Sequence, residues 1–528
     1  MAVYDHALPP RPVIGVSALL ARTARVRTRH RALVDGTRSR DWGEVADRVT
    51  RVASAIQAMG VRPGDRVAVL ALTNDRYVEL LCAIPRAGGV VVPLNWRWSI
   101  AELIDGVADC EPVLLFVDDR MADVGRQIVA GRPEIRVASI GEDPQGLPHY
   151  EQMILDHAPG DDAGRGGDEL YQLGYTGGTT GRSKAAMLSH RNVIDEAMMC
   201  WSEGLFREDC VYLLNGPMFH AAGSWPSLSV MGSGGTLVVM PQFDAGEALR
   251  LIEAHGVTES LLVPAVIQMV IEHPDFAATD TSSFRTVIYG ASPITETLLD
   301  RAIAALPQAR FIQAYGMTEL SPMCAILPDY ALRGEYRARG VYRAAGRATV
   351  GVEIRIVDEN DVELPCGEVG EIVVRGENVM LGYWRRPEET AHALRGGWMH
   401  TGDGGRMDEE GFVYVVDRVK DMIISGGENV YSQEVENAIA LHPAVRQCAV
   451  VGIPSEKWGE SVHAIIRLHD GATLTEAELI EHCRPLIAGY KLPRSMQIWD
   501  GEFPLTPANK VLKRELRRPF WEGRERKI

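Results

Sequence analysis

Short apolar runs alternate with longer amphipathic stretches along most of the chain. Residues 66–72 read as a buried strand, 76–87 as a helix, 90–94 as a strand, 100–108 as a helix and 113–117 as a strand. A βαβαβ order with nearly continuous apolar strands implies a parallel sheet covered by helices on both faces. The alternation continues through strands at 211–214, 237–240, 261–263 and 286–289, so the large N-terminal part is predicted to be α/β, with stacked α/β subdomains.

From about residue 350 the pattern changes. Residues 353–357, 371–375 and 412–416 are short alternating strands separated by Gly, Pro and acidic turns, which predicts an antiparallel or barrel-like β subdomain. A fresh α+β unit follows, with strands at 422–424, 449–452, 463–468 and 496–499 and helices at 433–440 and 476–486. The expected division is a large domain over residues 1–416, a hinge at 417–420 and a small C-terminal domain over 421–528. No internal repeat or low-complexity tract interrupts it.

Charge and composition narrow the classes. Against 55 basic residues stand 71 acidic ones, a formal charge of −16, which argues against a duplex nucleic-acid binder because no basic excess is present to displace counterions. A hydrophobic fraction of 46% with 24% charged residues fits a globular protein. No stretch approaches the ~18 consecutive apolar residues of a membrane span, and the start lacks a basic and apolar leader, so a cytoplasmic location is expected. Cys82, Cys110, Cys200, Cys210, Cys324, Cys366, Cys448 and Cys483 are scattered without a C-x-x-C pair and read as reduced core thiols.

The strongest chemical signal is the segment 173–184, Leu-Gly-Tyr-Thr-Gly-Gly-Thr-Thr-Gly-Arg-Ser-Lys. Its glycines let backbone N–H groups close round an anion, its hydroxyls add donors, and Lys184 adds a point charge. The Walker pattern fails, since Ser183 rather than Gly precedes the lysine and the spacing differs, so a P-loop phosphotransferase is disfavoured.

Residues 175–185 resemble the loop Y-T-S-G-T-T-G-x-P-K-G of adenylate-forming enzymes, which include acyl-CoA and aryl-CoA synthetases, firefly luciferase and peptide-synthetase adenylation domains. Further matching segments are Phe219-His220, Gln-Ala-Tyr-Gly-Met-Thr-Glu at 313–319, Gly-Tyr-Trp at 382–384, Trp-Met-His-Thr-Gly-Asp at 398–403, Asp-Arg-Val-Lys at 417–420, Ser-Gly-Gly-Glu-Asn at 425–429 and Pro-Leu-Thr-Pro-Ala-Asn-Lys at 504–510. The resemblance implies an ATP-dependent acyl- or aryl-CoA ligase that first makes an acyl-adenylate and then transfers the acyl group to coenzyme A, releasing AMP and pyrophosphate.

By that resemblance Thr176, Gly177, Gly178, Thr179, Thr180, Gly181 and Lys184 clasp the β- and γ-phosphates of ATP. Glu319 is the Mg²⁺ carboxylate, Thr318 contacts the α-phosphate, Tyr315 lies against adenine, Asp403 binds the ribose and Arg418 joins it. Lys510 bridges the acid and the α-phosphate. A mobile C-terminal domain then swings about Lys420 and presents Gly426 and Lys491 to coenzyme A. Taken alone, Glu319 reads as a solvated helix-start carboxylate, and Lys491 as a solvated lysine.

Peptide-synthetase domains place an aspartate after the aromatic residue of the Phe219 segment to pair an ammonium. His220 stands there instead, so a small-molecule carboxylic acid without a positive head is expected as substrate. Ala221, Ala222, Gly223, Val266, Gly290, Ala291, Gly316 and Met317 fall in segments that line the acyl pocket of relatives, and their small or apolar character suits a hydrophobic tail. His220 is a candidate to gate this pocket or touch the carboxylate. Phe219, assigned to the same pocket, reads more readily as core than as substrate wall, as do Trp225 and Met269.

Gly177 replaces a serine of the signature, at a cost of ~1 kcal/mol for one hydrogen bond. Ser183 and Ala185 replace Pro and Gly, and Asn509 replaces a glycine, but no charged catalytic group is lost. Two alternatives stay open: an adenylating enzyme that passes the acyl group to a carrier protein or other partner, and a non-catalytic relative that binds nucleotide or acyl ligand. The oligomeric state is open as well, a homodimer being one option.

Overall fold

The computed structural model describes residues 13–176, 183–292, 294–418, 423–425, 428–430, 432–455, 457–505 and 511–522. Its N-terminal part contains two large sheets. The seven-stranded sheet runs Gly382–Tyr383, Lys184–Ser189, Leu170–Thr176, Val90–Pro93, Arg66–Leu70, Leu114–Val117 and Arg136–Ser139. The nine-stranded sheet runs Arg347–Ala348, Ala325–Leu327, Arg310–Tyr315, Thr286–Gly290, Glu259–Leu261, Val211–Leu214, Thr236–Val239, Arg31–Asp35 and Arg38–Asp41. The interiors of both sheets are parallel; both edges of the nine-stranded sheet and the Gly382–Tyr383 edge of the seven-stranded one are antiparallel, while its Arg136–Ser139 edge is parallel. The expected strands are therefore present, several of them one or two residues shorter than their apolar runs, except that the strand expected at 261–263 lies instead at Glu259–Leu261.

One hydrophobic core joins the facing surfaces of the two sheets. Val67, Val69 and Phe116 come from one sheet and Leu214, Val239, Ile288 and Ile312 from the other, with helices Trp42–Ala58, Asp75–Arg86, His190–Ser202 and Ala221–Ser233 contributing to the same core. Asp75–Arg86 is buried at every position but Arg86, as a helix between two layers must be. The outer faces carry their own cores, one built with Ala245–His255 and Glu296–Ala305 and the other with Ile100–Cys110.

Strands Val352–Val357, Gly370–Gly376, Met399–Met407 and Val413–Arg418 form a separate, wholly antiparallel sheet, the barrel-like subdomain expected from the short alternating runs. The C-terminal residues build a sheet from Glu428–Val430, Ile423–Ser425, Gly459–Leu468, Val445–Ser455 and Ser495–Ile498. Helices Ser432–Ala440 and Glu476–Cys483 pack on it around a distinct core that includes Val435, Ile439, Val450, Ala464 and Leu479. The second helix ends at Cys483 rather than 486, because Pro485 has no N–H with which to continue the ladder.

Two expectations need correction. Cys366 is exposed and Cys448 half-buried, so the thiols are not all in the core; Cys366 follows Pro365 in the connection between two antiparallel strands. Met269 is 52% exposed on helix Pro264–Ile271 and does not belong to the core. Among the described residues no helix is long and apolar enough to cross a membrane.

Candidate active site

The phosphate-loop candidate joins two antiparallel strands, Leu170–Thr176 and Lys184–Ser189, with Thr176 opposite Lys184 and the Thr176 hydroxyl donating to the Lys184 carbonyl at 3.3 Å. Gly177, Gly178, Thr179, Thr180 and Gly181 lie outside the described residues. Past the loop the chain continues as a strand, and helix His190–Ser202 begins only after Ser189, which caps it. A Walker loop delivers phosphate to a helix N-terminus. This loop sits in a hairpin, so the P-loop alternative fails on geometry as well as on spacing.

The next strand pair brings an acid to this hairpin. Arg310–Tyr315 and Ala325–Leu327 are antiparallel, and the 3-10 turn Thr318–Leu320 lies between them. Thr318 packs on the hairpin backbone: a Cβ at Gly174 would lie 2.9 Å from the Thr318 methyl. Glu319 is 5% exposed, which corrects the reading of a solvated helix-start carboxylate; the turn folds inward because Met380 N–H binds the Glu319 carbonyl at 2.9 Å.

Tyr383 joins these pieces. Its hydroxyl donates to Glu319 Oε1 at 2.8 Å, and Lys184 Nζ lies 5.3 Å from its ring centroid. Burial and the neighbouring Glu319 carboxylate push its phenol well above the ordinary value, so the proton stays on the oxygen. Sequence reasoning gave Tyr383 no role; the only signal was its place in the matching Gly-Tyr-Trp segment. That segment extends the hairpin, with Gly382 opposite Met187, Tyr383 opposite Ala186, and Trp384 N–H bonded to the Ala185 carbonyl at 2.8 Å.

Tyr315 and Asp403, the two candidates for the nucleoside, meet. The Tyr315 hydroxyl donates to Asp403 Oδ2 at 2.8 Å, and burial together with the Asp403 charge drives the phenol upward. Asp403 is 9% exposed on Met399–Met407 and faces Arg418 across the antiparallel ladder.

The acyl-side candidates come from three connections. His220 precedes helix Ala221–Ser233 and its Nδ1 accepts from Ala222 N–H at 3.5 Å, while Phe219 sets its ring edge-on to Trp96 with centroids 6.1 Å apart. Gly290 ends strand Thr286–Gly290, paired with Ala314, Ala291 follows it, and Gly316 and Met317 follow the neighbouring strand. At three of the glycines the backbone itself leaves no room for a side chain. A Cβ would lie 2.4 Å from Pro217 O at Gly223, 2.2 Å from Ala314 O at Gly290 and 2.0 Å from Pro322 O at Gly316. Val266 and Met317 are half-buried, and Trp225 packs in the core against Phe206.

In the C-terminal domain Lys491 is held by Glu434, both carboxylate oxygens lying 2.7 Å from Nζ, which corrects the picture of a simply solvated side chain. Burial opposes its charge, but the Glu434 carboxylate outweighs burial and raises its pKa. Lys420, Gly426 and Lys510 lie outside the described residues.

Comparison with known proteins agrees with this arrangement. A family profile described as AMP-binding enzyme matches residues 20–384, and one described as AMP-binding enzyme C-terminal domain matches residues 434–510. Feruloyl-CoA synthase of Amycolatopsis sp is 37% identical over 515 residues, covering 96% of this chain and 99% of that protein. The fatty acid–[acyl-carrier-protein] ligase ScoC of Streptomyces coeruleorubidus is 37% identical over 482 residues, 90% and 91% of the two chains. The crystal structure of ATP-bound MatB from Rhodopseudomonas palustris aligns with a TM-score of 0.87 at 32% identity, over 96% of this chain and 99% of that one. Matched by a profile over most of its length and by relatives nearly end to end, the chain belongs to the AMP-binding enzymes, the adenylate-forming superfamily.

Proposed function

We propose that this chain is an AMP-forming acid–thiol ligase that activates a hydrophobic carboxylic acid with ATP and transfers the acyl group to coenzyme A. The observation that carries the reading is the convergence of Lys184, Tyr383 and Glu319 at the root of the glycine-threonine hairpin. A cation and a buried carboxylate flanking an N–H-rich loop suit a triphosphate with its counterion. Magnesium is ordinarily held by one or two carboxylates together with substrate phosphates, and Glu319 supplies such a hard oxygen donor. When bound, the ion would neutralise charge on the triphosphate.

The chain's own groups divide the remaining work. Lys184 and the hairpin donors hold the outer phosphates, Thr318 stands toward the α-phosphate, and Tyr315 with Asp403 and Arg418 fixes the nucleoside. Asp403 can accept from both vicinal ribose hydroxyls. Lys510, carried by the C-terminal domain, screens the repulsion as an acid oxygen attacks the α-phosphorus; the Pα–O bond to pyrophosphate breaks and its electron pair leaves with pyrophosphate. Rotation of that domain about Lys420 then brings Gly426 and Lys491 to coenzyme A, whose thiolate attacks the acyl carbon and expels AMP. His220 borders the acid together with Phe219, Ala221, Ala222, Val266, Ala291 and Met317, and the apolar character of these six favours an uncharged tail.

The test is a product analysis with a panel of carboxylic acids, ATP and coenzyme A. Stoichiometric AMP, pyrophosphate and acyl-CoA are expected, and Lys510→Ala should abolish acid-dependent pyrophosphate exchange. ADP as product, or exchange indifferent to Lys510→Ala, refutes the scheme. Similarity to a fatty acid–[acyl-carrier-protein] ligase favours one second reading, in which a carrier protein is the acceptor. AMP release without acyl-CoA, restored by a phosphopantetheinylated carrier, would select it.

A further inference from the structure

Lys184 and Glu319 reach the same point from different parts of the chain, and both touch Tyr383. Its hydroxyl binds one carboxylate oxygen at 2.8 Å, and its ring faces the ammonium at 5.3 Å. A phenol differs from a lysine or arginine in this position, because it aims the carboxylate without cancelling its charge. A group that must attract a cation needs that property.

The segment bearing Tyr383 is tied to both sides of the site. Asn192, on the helix that follows the hairpin, donates to Glu377 O at 2.6 Å and Val379 O at 2.9 Å. Asn378, wholly buried, donates to Leu320 O at 3.1 Å and Met323 O at 2.7 Å, which fastens the same segment to the Glu319 turn. Leu381 N–H and Trp384 N–H bind Met187 O and Ala185 O of the hairpin strand, and Tyr383 N–H binds Thr390 Oγ1, each at 2.8–2.9 Å. Residues 377–384 thus form a strut between the hairpin and the acidic turn, with the Tyr383 side chain at its centre. The hydroxyl can give its one hydrogen to the carboxylate, and the Glu319 oxygen at 2.8 Å takes it.

We propose that Tyr383 is a positioning residue that fixes the Glu319 carboxylate and the Lys184 ammonium as one unit for a divalent cation–triphosphate ligand. The proposal rests on the reading of Glu319 as the cation's carboxylate. It goes beyond that reading by assigning the geometry of the pair to a third side chain.

Manganese(II) serves as the probe. Its binding to the full-length protein with α,β-methylene-ATP is titrated by electron paramagnetic resonance, beside thermal melting of each variant. Tyr383→Phe keeps the ring and removes the hydroxyl; it should weaken manganese binding about tenfold, as loss of a ligand-orienting hydrogen bond does elsewhere. Glu319→Gln should weaken it at least as much. If Tyr383 acts through Glu319, the double variant binds no more weakly than Glu319→Gln alone, whereas a merely structural role makes the two losses add. Tyr383→Leu, which also removes the ring from Lys184, should in addition weaken binding of the analogue measured without metal. Wild-type manganese affinity in Tyr383→Phe, or additive losses in the double variant, overturns the proposal. Unchanged manganese affinity in Glu319→Gln instead overturns the underlying reading of Glu319.

Discussion

Gly316 has space for no side chain, since a Cβ there would lie 2.0 Å from Pro322 O and 2.8 Å from Met323 Cα. Both obstacles are backbone, so the turn bearing Thr318 and Glu319 must shift if Gly316→Ala is made. Overpacking of this kind costs about 1–3 kcal/mol, and a lower denaturant midpoint with weaker ATP binding is expected; a variant as stable as the parent contradicts it. Asp403 gives a functional counterpart. Asp403→Asn keeps the shape but removes the charge that strengthens its hydrogen bonds, so the KM for ATP should rise about tenfold with little change in the KM for the acid. An unchanged KM for ATP removes Asp403 from the nucleotide site. These residues show how far single letters carry. Asp403 was legible as a candidate through its Thr-Gly-Asp setting, but the burial of Glu319 was not, because an isolated Glu after Thr fits an exposed turn equally well. Gly223, Gly290 and Gly316 were legible as small residues, while the carbonyls that crowd each of them were visible only in the structure.

At the scale of elements, the hairpin Leu170–Thr176 and Lys184–Ser189 was legible as a strand followed by a phosphate loop, while the return strand became visible only in the sheet. Pairing decides this, since the apolar run at 185–188 suits a strand or the start of a helix until its partner is known. The C-terminal domain shows the same division. Its strands and helices follow their hydrophobic periods closely, but the capture of Lys491 by Glu434 depends on helix Ser432–Ala440 meeting the turn Gly489–Lys491. This pair yields a prediction that separates the two half-reactions. Lys491→Ala should raise the KM for coenzyme A several-fold in acyl-CoA formation and disturb acid-dependent pyrophosphate exchange much less. Equal losses in both assays would place Lys491 outside the coenzyme path.

Across the whole molecule, the N-terminal region is cross-braced by charge. Arg48 binds Glu79 at 2.7 Å and Glu151 at 2.8 and 2.9 Å, Arg76 binds Glu151 at 2.8 Å, and Arg38 and Arg40 converge on buried Asp75. Burial pushes Asp75 and Glu151 upward, but the guanidiniums outweigh it and hold both carboxyls at about 2, below their ordinary 3.8 and 4.5. Groups depressed in the folded state take up protons first in the unfolded chain. Their stabilisation is therefore present above about pH 5 and is lost as pH falls toward 2. Burial raises Asp35 and Glu79, which therefore oppose the loss as they protonate. The melting temperature should drop between pH 5 and pH 3, and Arg48→Met should lower it at pH 7 while flattening that drop; a pH-independent melting temperature contradicts the network's role. None of these partners could be paired from sequence, because hairpin, helices and turn meet only when the layers stack. By itself the sequence determined the alternation of elements, the three textures of the chain and the donor-rich segment that marks a phosphate-loop candidate, since periodicity and local donor content are properties of neighbouring residues. The tertiary structure alone decided that Glu319 is buried and that Tyr383 stands between it and Lys184, because both depend on contacts between segments far apart along the chain.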